Sequence, residues 1–342
     1  MKAQINNSTA CTSNDQKLEG LSRYDVSGTV LGESIYGNVV KGIDRETKTA
    51  VAIKCSKNYA SAKVESPSQE VKVLRTLQSA MSGDCHQHPN LLRLIDSFTE
   101  ADCLYTVLEF MGGGDLCCWI MNNHKKGLPE QTARQIFRQI VQGVAFMHTQ
   151  GMAHLDISPE NVLLAFSEDS KVEAKVCDFG MTQFCNGMSP PAHGSPGKTS
   201  YRAPEINAGR QQFNGQLADV FSLGVVLFVL LTGRFPFKVA DANKDRRYKE
   251  IAHRHNLDFI LTKVNKHDTA SAEVKELLLK MLALPGKRCS LAEVQQHPWL
   301  LKLKETPQSS HVKPPDKRGR RKRKFQETIS DNPDECENKK QR

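Results

Sequence analysis

The sequence predicts an α+β fold with two lobes, a small antiparallel β-sheet lobe followed by a larger helical lobe. Short segments with alternating apolar residues occur between Tyr24 and Met111, which is typical of an antiparallel meander. Beyond three consecutive glycines at 112–114, apolar residues recur every three or four positions, as on one face of a helix. We therefore place the first lobe at 23–111 and the second at 112–302.

The first lobe is predicted to contain five strands and one helix. Three strands come first, because apolar residues alternate in three stretches that are separated by turns at 32–34 and 44–46. Apolar residues at helical spacing predict a helix over 69–79. Two further strands, at 91–97 and 104–110, complete the small sheet.

The second lobe is predicted to be built around one buried helix. An amphipathic helix over 132–148 leads into a polar turn, and the stretch 217–231 is apolar almost all round. Asp219 lies at the start of this apolar helix, so we expect a polar partner for it. The apolar run at 220–231 is too short to span a bilayer, and we expect no association with a membrane.

The composition is that of a soluble globular protein. Of the 342 residues, 39% are hydrophobic and 25% are charged, which excludes a fibrous or wholly disordered chain. Residues 1–22 are polar, so we expect a disordered leader, no secretion signal and an intracellular location. The ten cysteines lack framework spacing, which predicts reduced thiols. We interpret Cys85–His88 as a loop, because no second ligand pair lies at zinc-site spacing.

The most informative stretch is the polar turn at 154–161, which a strand-forming run follows at 162–164. Asp156 and Asn161 place one carboxylate and one amide close together in this turn. Asp178 lies in a second turn, Asp-Phe-Gly, after an apolar segment. Because Mg²⁺ takes one or two such oxygen ligands and keeps waters and substrate phosphates, the two turns predict a phosphoryl-transfer site.

With the stretch Ala-Pro-Glu at 203–205, these turns resemble the catalytic loop, metal loop and activation-segment end of the eukaryotic protein kinases. The resemblance covers about residues 24–300. It implies the two-lobed protein kinase fold, ATP and Mg²⁺ as cofactors, and protein substrates as partners. It also implies that Asp156 orients the incoming hydroxyl and accepts its proton, while Asn161 and Asp178 hold Mg²⁺. The His-Pro-Trp ending at 297–299 is similar to the calcium/calmodulin-dependent group.

The first lobe carries the nucleotide-binding part of this resemblance. The stretch 31–39 is similar to the glycine-rich loop, with Ser34 in place of the middle glycine. Lys54 and Glu70 fall at the family's strand lysine and helix glutamate, where a cation positions the phosphates and an anion holds that cation. Leu108 would guard the back of the pocket, and 109–111 would present backbone hydrogen bonds to the purine. The implied nucleotide contacts are Leu31, Gly32, Ser34, Gly37, Val39, Ala52, Lys54, Leu108, Glu109, Met111 and Leu163.

Three buried polar residues of the second lobe also resemble family positions. Asp219 is similar to the aspartate that holds the catalytic-loop backbone. Glu205 and Arg288 are similar to the ion pair that closes the lower lobe.

Two positions depart from the family pattern in a reciprocal way. Ser158 stands where Ser/Thr members usually carry a lysine that neutralises the transferred phosphate. Lys198 stands where they usually carry a threonine that packs against that lysine. We hypothesise that Lys198 reaches in from the activation segment and supplies the missing cation. The alternative is a loop lysine that faces water.

A third departure concerns activation. Leu155 replaces the arginine that usually binds a phosphate on the activation segment. We therefore predict activity without phosphorylation of that segment, unless another basic residue such as Lys175 or Arg202 binds the phosphate. Asp115 and Glu160 lie where basophilic family members bind substrate arginines, which predicts basic residues before the acceptor.

The excess of positive charge is concentrated at the end of the chain. The net charge is +9, and residues 313–342 hold eleven Lys or Arg against six Asp or Glu. We expect 303–342 to be a disordered basic tail, and the run Lys317–Lys324 to bind a nuclear import receptor. Nonspecific nucleic-acid contact is the second interpretation and a solvated tail the third. The expected location is nuclear or nucleo-cytoplasmic.

The function predicted from the sequence is transfer of the ATP γ-phosphate to Ser/Thr of protein substrates. A pseudokinase that binds nucleotide or acts as a scaffold is the alternative, favoured by Ser34, Leu155 and Ser158. A kinase tethered to chromatin or RNA by its tail is a third interpretation. Tyrosine acceptors stay open, because Ser158 removes the lysine that usually marks Ser/Thr members.

Overall fold

The computed structural model describes residues 19–34, 36–57, 67–81, 87–169, 171–185, 196–210, 212–264 and 270–302. Within them a five-stranded antiparallel sheet with one long helix precedes a mainly helical lobe, which confirms the α+β fold class. In chain order the elements are α1 (Glu19–Ser22), β1 (Tyr24–Ser34), β2 (Gly37–Asp44), β3 (Ala50–Lys57), α2 (Pro67–Ser79), β4 (Leu94–Glu100), β5 (Cys103–Glu109), β6 (Gly114–Asp115), α3 (Leu116–Asn123), α4 (Glu130–Thr149), β7 (Met152–Ala153), β8 (Val162–Phe166), β9 (Val172–Val176), β10 (Gln183–Phe184), α5 (Pro204–Asn207), α6 (Gly215–Thr232), α7 (Arg246–Arg254), α8 (Leu257–Lys263), α9 (Ala272–Met281), α10 (Leu291–Gln296) and α11 (Pro298–Leu301).

The sheet of the first lobe has the strand order β1-β2-β3-β5-β4: the first three strands form a meander, the connection through α2 leads to the outer strand β4, and β5 returns between β3 and β4. β3 lies at its centre, and its alternating side chains Val51 and Ile53 are fully buried against Val107 of β5. The residues between them on β3, Ala52 and Lys54, face the other side of the sheet. This alternation places Lys54 on the face that α2 and the second lobe cover.

The fourth strand begins later than predicted. The sequence prediction started it at Leu91, but β4 runs from Leu94 to Glu100. Leu91 instead forms an isolated parallel bridge with Val176, and the Leu92 N–H donates to the Val176 carbonyl at 2.9 Å. The two leucines therefore pair with a strand of the second lobe, a long-range contact that apolar alternation does not reveal.

The described chain also begins before the predicted boundary at residue 22. α1 starts at Glu19, and the Leu21 N–H points to a carboxylate oxygen of Glu100 at 3.4 Å. Gly20 allows this contact, since a side chain there would meet the ring of Phe98 at 2.5 Å. The predicted tail at 303–342 lies outside the described residues.

The second lobe is organised around α6, which is buried along nearly its whole length. Asn214 caps its first turn by accepting from the Leu217 N–H, and Gly233 ends it in the left-handed conformation at φ +67°. The helix therefore begins before the predicted residue 217, and Asp219 lies one turn inside it. Among the described helices only this one is long and apolar enough to cross a bilayer. However, 89% of its 18-residue apolar stretch is buried inside the protein.

A buried ion pair joins two distant parts of this lobe. Both terminal nitrogens of Arg288 donate to Glu205, at 2.7 and 3.0 Å, and Nη1 also donates to the Leu217 carbonyl at 2.8 Å. The geometry is the bidentate one in which Arg and carboxylate bind most strongly. The pair ties α5 to the start of α6 and to the chain before α10.

The glycine boundary between the lobes is held by hydrogen bonds. The Gly113 N–H donates to the Leu164 carbonyl at 2.8 Å, and a side chain on Gly113 would approach that carbonyl oxygen to 2.6 Å. Gly114 then pairs with Leu164 in the short sheet β6-β8-β9. Glycine is needed here because the two backbones come close together.

Candidate active site

The catalytic turn is anchored from beneath by Asp219 of α6. Its two carboxylate oxygens accept the N–H groups of His154 at 2.7 Å and Leu155 at 2.8 Å. His148 of α4 contacts the same carboxylate at 2.9 Å through Nε2. Leu155 takes a left-handed conformation with φ +64°, which a non-glycine residue adopts only where its surroundings hold it. The expected polar partner of Asp219 is thus the turn itself.

Asp156 and Asn161 meet in this turn, as the sequence analysis predicted. The Asn161 amide donates to the Asp156 carboxylate at 2.7 Å and to the Asp156 backbone carbonyl at 2.8 Å. The Cys177 N–H donates to the Asn161 carbonyl at 2.9 Å, which joins the turn to the segment before Asp178. Because the amide nitrogen of Asn161 is occupied by Asp156, its side-chain oxygen is the atom left for a cation.

Asp178 is presented to the cleft by a strained backbone. Its φ is +66°, and its carboxylate is about one-third exposed. The next residue, Phe179, is fully buried and packs against the ring of His154, with 5.6 Å between ring centroids. His154 also contacts the Cys177 carbonyl at 3.1 Å. The buried His154 side chain therefore contacts the residues on both sides of Asp178.

Lys54 connects the first lobe to this group. Its ammonium donates to Glu70 of α2 at 2.7 Å and lies 3.8 Å from Asp178 Oδ1. Burial raises the pKa of the Glu70 carboxyl and the Lys54 charge opposes that rise. The three residues therefore form one charge cluster across the two lobes.

The predicted nucleotide contacts come from strands of both lobes. Ala52 lies opposite Leu108 in the sheet of the first lobe, and Leu163 lies on β8 opposite Lys175. Ala52 and Leu163 are only half-buried and pack on the main core, so they leave an apolar surface toward the cleft. The Met111 backbone has no hydrogen-bond partner among the described residues, which leaves it able to bind a purine edge.

Glu109 contributes to the pocket through its backbone only. Its carboxylate accepts from the Lys175 ammonium of β9 at 2.8 and 2.9 Å and from the Arg93 N–H at 2.8 Å. Lys175 is almost fully buried and also contacts Glu173 at 3.2 Å. The sequence analysis considered Lys175 only as a phosphate ligand, and nothing in the sequence indicated its pairing with Glu109.

The glycine-rich stretch forms the hairpin between β1 and β2. Gly32 pairs with Val39, and Ser34 pairs with Gly37 across the turn. A side chain on Gly37 would approach the Cys55 carbonyl to 2.2 Å, so only glycine fits against β3 here. Leu31 and Val39 are half-buried on this hairpin, as expected for residues that would cover a nucleotide.

Lys198 lies where the two reciprocal departures meet. Its ammonium donates to Asp156 Oδ2 at 2.8 Å and to the hydroxyl of buried Ser158 at 3.0 Å, and its backbone N–H donates to Asp156 Oδ1 at 3.1 Å. Burial opposes the charge, but the attraction and hydrogen bond of Asp156 outweigh it and raise the pKa of Lys198. The structure thus brings the three residues together, which a solvated loop lysine would not do.

The two candidate substrate-binding carboxylates differ. Asp115 caps α3, because its Oδ1 accepts from the Cys118 N–H at 2.7 Å. Glu160 is half-buried, and its Oε2 is enclosed without a hydrogen-bond partner in the described part of the chain. Of the two carboxylates, Asp115 is thus engaged in a helix cap, whereas Glu160 lies in the catalytic turn itself.

Comparison with known proteins agrees with this geometry. A family model described as the protein kinase domain matches residues 26–300, so the chain belongs to the protein kinase family. The serine/threonine-protein kinase SAPK4 of Oryza sativa is 32% identical over 79% of this chain and 71% of its own length. The serine/threonine-protein kinase SIK1 of Mus musculus is 33% identical over 83% of this chain and 33% of its length.

A solved structure shows the same fold. The crystal structure of the Rad53 kinase domain and SCD2 in complex with AMPPNP has a TM-score of 0.59 and 24% identity. The match covers 84% of this chain and 93% of that one. Several of the curated relatives are longer proteins, and the chain spans between about a third and three fifths of the length of the first four.

The donor set suits a magnesium ion that is bound with nucleotide. Asn161 and Asp178 offer one amide oxygen and one carboxylate at the cleft. No group of three or more His, Cys, Asp or Glu able to hold a metal lies within the described ranges. A pair of oxygen ligands fits Mg²⁺, because this ion takes its remaining ligands from water and phosphate oxygens.

Proposed function

We propose that this protein is an ATP-dependent serine/threonine kinase that phosphorylates other proteins. The observation that carries the proposal is the contact of Lys54 with Glu70 at 2.7 Å and with Asp178 at 3.8 Å. A phosphoryl-transfer site needs a cation at the phosphates, an anion that holds it and a metal ligand beside it. Here the three side chains are already assembled across the two lobes.

The remaining residues have roles in positioning and charge. Asp156 accepts the proton of the incoming hydroxyl, and the Asn161 amide at 2.7 Å keeps its carboxylate oriented. Asn161 and Asp178 would hold Mg²⁺, which neutralises charge on the phosphate oxygens when bound. Lys54 positions those phosphates, so the protein acts mainly by placing groups and stabilising charge.

Lys198 is proposed as the cation that the family usually carries at position 158. Its ammonium contacts both Asp156 and Ser158, so it occupies the space beside the carboxylate that receives the substrate hydroxyl. A positive charge there stabilises the phosphoryl group in flight between donor and acceptor. The charge of the site is then conserved although the lysine comes from another segment.

The preferred substrates carry an arginine before the acceptor. The support for this is Glu160, a half-buried carboxylate that lies within the catalytic turn. Arginine satisfies such a carboxylate with two parallel N–H groups. Asp115 contributes less, because the cap of α3 already uses one of its oxygens.

The test of the proposal is phosphate transfer from Mg-ATP to a mixed Ser, Thr and Tyr peptide library. We expect transfer to Ser and Thr, preference for peptides with a preceding Arg, and loss of at least a thousandfold in kcat for Asp156→Asn. Asp169→Asn is the matched control, because that carboxylate is 76% exposed on the turn between β8 and β9 and is not part of the site. ATP binding without transfer to any peptide would contradict the enzyme and support the pseudokinase.

The tail is proposed to direct the protein to the nucleus. The run Lys317–Lys324 has seven Lys or Arg in eight positions, a density that import receptors recognise. This run lies outside the described residues, so the support comes from the sequence alone. Nonspecific binding to nucleic acid is the second proposal for the same charges.

A further inference from the structure

The catalytic cation of this site is carried by the activation segment. A lysine at position 158 would be fixed by the turn that Asp219 anchors, but Lys198 is forty residues further along the chain. Its ammonium reaches Asp156 only if the segment around 196–198 lies against the catalytic turn. Whether the Lys198 ammonium is present at Asp156 therefore depends on whether residues 196–198 keep this conformation.

The carbonyls just before Lys198 are bound by one side chain. Arg202 donates through Nε to the Pro196 carbonyl at 2.9 Å and through a terminal nitrogen to the Gly197 carbonyl. The guanidinium is half-buried, and hydrogen bonds from a charged donor are stronger than those between neutral groups. Two successive carbonyls are thus held by a rigid, planar group.

The backbone of Arg202 is itself fixed to the core of the second lobe. Its N–H donates to the Lys198 carbonyl at 3.0 Å, which closes a turn over 198–202. The neighbouring Tyr201 is buried, and its carbonyl accepts from the Ser222 hydroxyl of α6 at 2.9 Å. The backbone at 201–202 is therefore fixed, and the Arg202 side chain turns back toward residues 196 and 197 of the same segment.

The opposite side of the segment rests on the catalytic turn. Gly197 has φ +81°, and a side chain there would approach the Leu155 carbonyl oxygen to 2.6 Å. Leu155 is buried and apolar at the position where the resemblance expects a phosphate-binding arginine. The segment therefore lies between the Leu155 carbonyl of the turn and the guanidinium of Arg202, and the Gly197 N–H also donates to the Met181 sulfur at 3.2 Å.

We infer that Arg202 is a positioning residue that holds 196–198 against the catalytic turn and so delivers Lys198 to Asp156 without phosphorylation. The inference rests on the proposed kinase activity and names how that site is kept ready. The hydrogen bonds of the Arg202 guanidinium to Pro196 and Gly197 go to backbone carbonyls, and Asp156 lies close enough to attract its charge. The effect of Arg202 on turnover should therefore disappear in a variant whose catalytic lysine is not carried by residues 196–198.

This dependence is tested by moving the lysine. We compare Arg202→Ala in the wild-type chain and in the double variant Ser158→Lys/Lys198→Thr, which carries the cation on the catalytic turn. We expect kcat to fall at least tenfold in the wild-type chain and less than threefold in the relocated chain. An equal fall in both would show that Arg202 is merely structural, and no fall in the wild-type chain would overturn the inference.

Two controls complete the experiment. Arg210→Ala removes an exposed arginine at the end of the same region and should leave kcat within twofold. Wild-type protein treated with phosphatase should also stay within twofold, and loss of its activity would show that a phosphate is required.

A readout without ATP separates this inference from the kinase proposal. The Lys198 N–H is protected by Asp156 Oδ1, so Arg202→Ala should speed amide hydrogen exchange in the peptide 196–203 at least fivefold. Arg210→Ala should not change that rate. Unchanged exchange in Arg202→Ala would overturn the positioning role even if the wild-type protein proved inactive on every peptide.

Discussion

Lys198 contacts the catalytic carboxylate from outside the turn that carries it. Its side chain is about one-third exposed, and its ammonium bridges Asp156 and the hydroxyl of Ser158. A short side chain at position 158 is what makes room for this contact, since Ser158 is itself fully buried. Ser158 and Lys198, the two departures from the family pattern, are therefore in direct contact. Changing either residue alone should alter the position of the other.

Replacement of Lys198 should lower turnover and leave nucleotide binding largely intact. We expect Lys198→Ala to reduce kcat about a hundredfold, the usual effect of removing one group that stabilises transition-state charge. The KM for ATP should stay within about threefold, because Lys54 still positions the phosphates. Steady-state kinetics with a peptide substrate measure both quantities.

Lys171→Ala is the matched control for this variant, because that lysine is 81% exposed and pairs only weakly with Asp169. It should behave as wild type. If Lys198→Ala also keeps turnover within a fewfold of wild type, Lys198 is not the missing cation.

Single residues of the site could be predicted where a short motif carries them. Asp156 and Asn161 are five positions apart, so a single turn brings them together. The pairing of Glu109 with Lys175 spans 66 positions, and it depends on how two sheets meet. No local pattern indicates such a contact, and the same is true of the fold-back of Arg202.

Three helices meet at Glu130, the first residue of α4. Its carboxylate accepts the N–H and hydroxyl of Ser271, the cap of α9, at 2.9 and 2.8 Å. It also accepts the indole N–H of Trp299 in α11 at 2.7 Å and pairs with Arg134 one turn along α4. This one side chain therefore ties the last helices of the domain to the helix that leads into the catalytic turn.

The Glu130 contacts should make stability depend on pH in the acid range. Burial disfavours the charged form, but the hydrogen bonds from Ser271 and Trp299 and the Arg134 charge outweigh it and lower the pKa of Glu130. The carboxylate thus adds stability above its ordinary pKa, and that stability is lost as the pH falls through the lowered value.

Glu130→Gln should reduce the free energy of unfolding at pH 7 by about 1 to 2 kcal/mol, as expected for hydrogen bonds to a charged group. The difference from wild type should shrink once the pH falls below the lowered pKa. Denaturant unfolding at a series of pH values measures this, with Glu168→Gln at an exposed position as the control. A difference that is the same at every pH would contradict the assignment.

Helices were predicted more accurately than strand ends. The spacing of apolar residues in α4 and α6 depends on which face of each helix is buried, so it can be read from the sequence. The observed ends of both helices differ from the predicted ends by one or two residues. The start of β4 was wrong by three residues because Leu91 and Leu92 pair with Val176 of the other lobe. Apolar residues that belong to a neighbouring element look the same in sequence as residues of the strand.

On the scale of the whole molecule, positive charge is concentrated near the end of the sequence. Residues 313–342 contribute +5 of the net +9, although they are less than a tenth of the chain. A charge run of this density is too hydrophilic to pack in a core and is suited to binding acidic surfaces. The tail and the kinase site should therefore act independently of each other.

Neutralising the tail should change location and leave catalysis unaltered. We expect alanine at all five positions of Arg320–Lys324 to abolish nuclear enrichment of the tagged full-length protein in eukaryotic cells. The peptide kinase activity of the purified variant should match that of wild type. Alanine at Lys339 and Lys340, outside the dense run, serves as the control.

An unchanged compartment would contradict the import proposal. Binding of the purified wild-type protein to arbitrary DNA or RNA that falls steeply with salt, and is lost in the five-alanine variant, would instead favour nucleic-acid contact. These two measurements use the same pair of proteins.

The pairing of Glu109 with Lys175 has a mechanical consequence. Glu109 is the last residue of the first lobe's sheet, Lys175 lies in the second lobe, and their contact sits directly behind the connection between the lobes. A buried charge pair with hydrogen bonds to both carboxylate oxygens resists separation of the two lobes at that point. We therefore expect the purine end of the pocket to keep its width when the lobes move relative to each other.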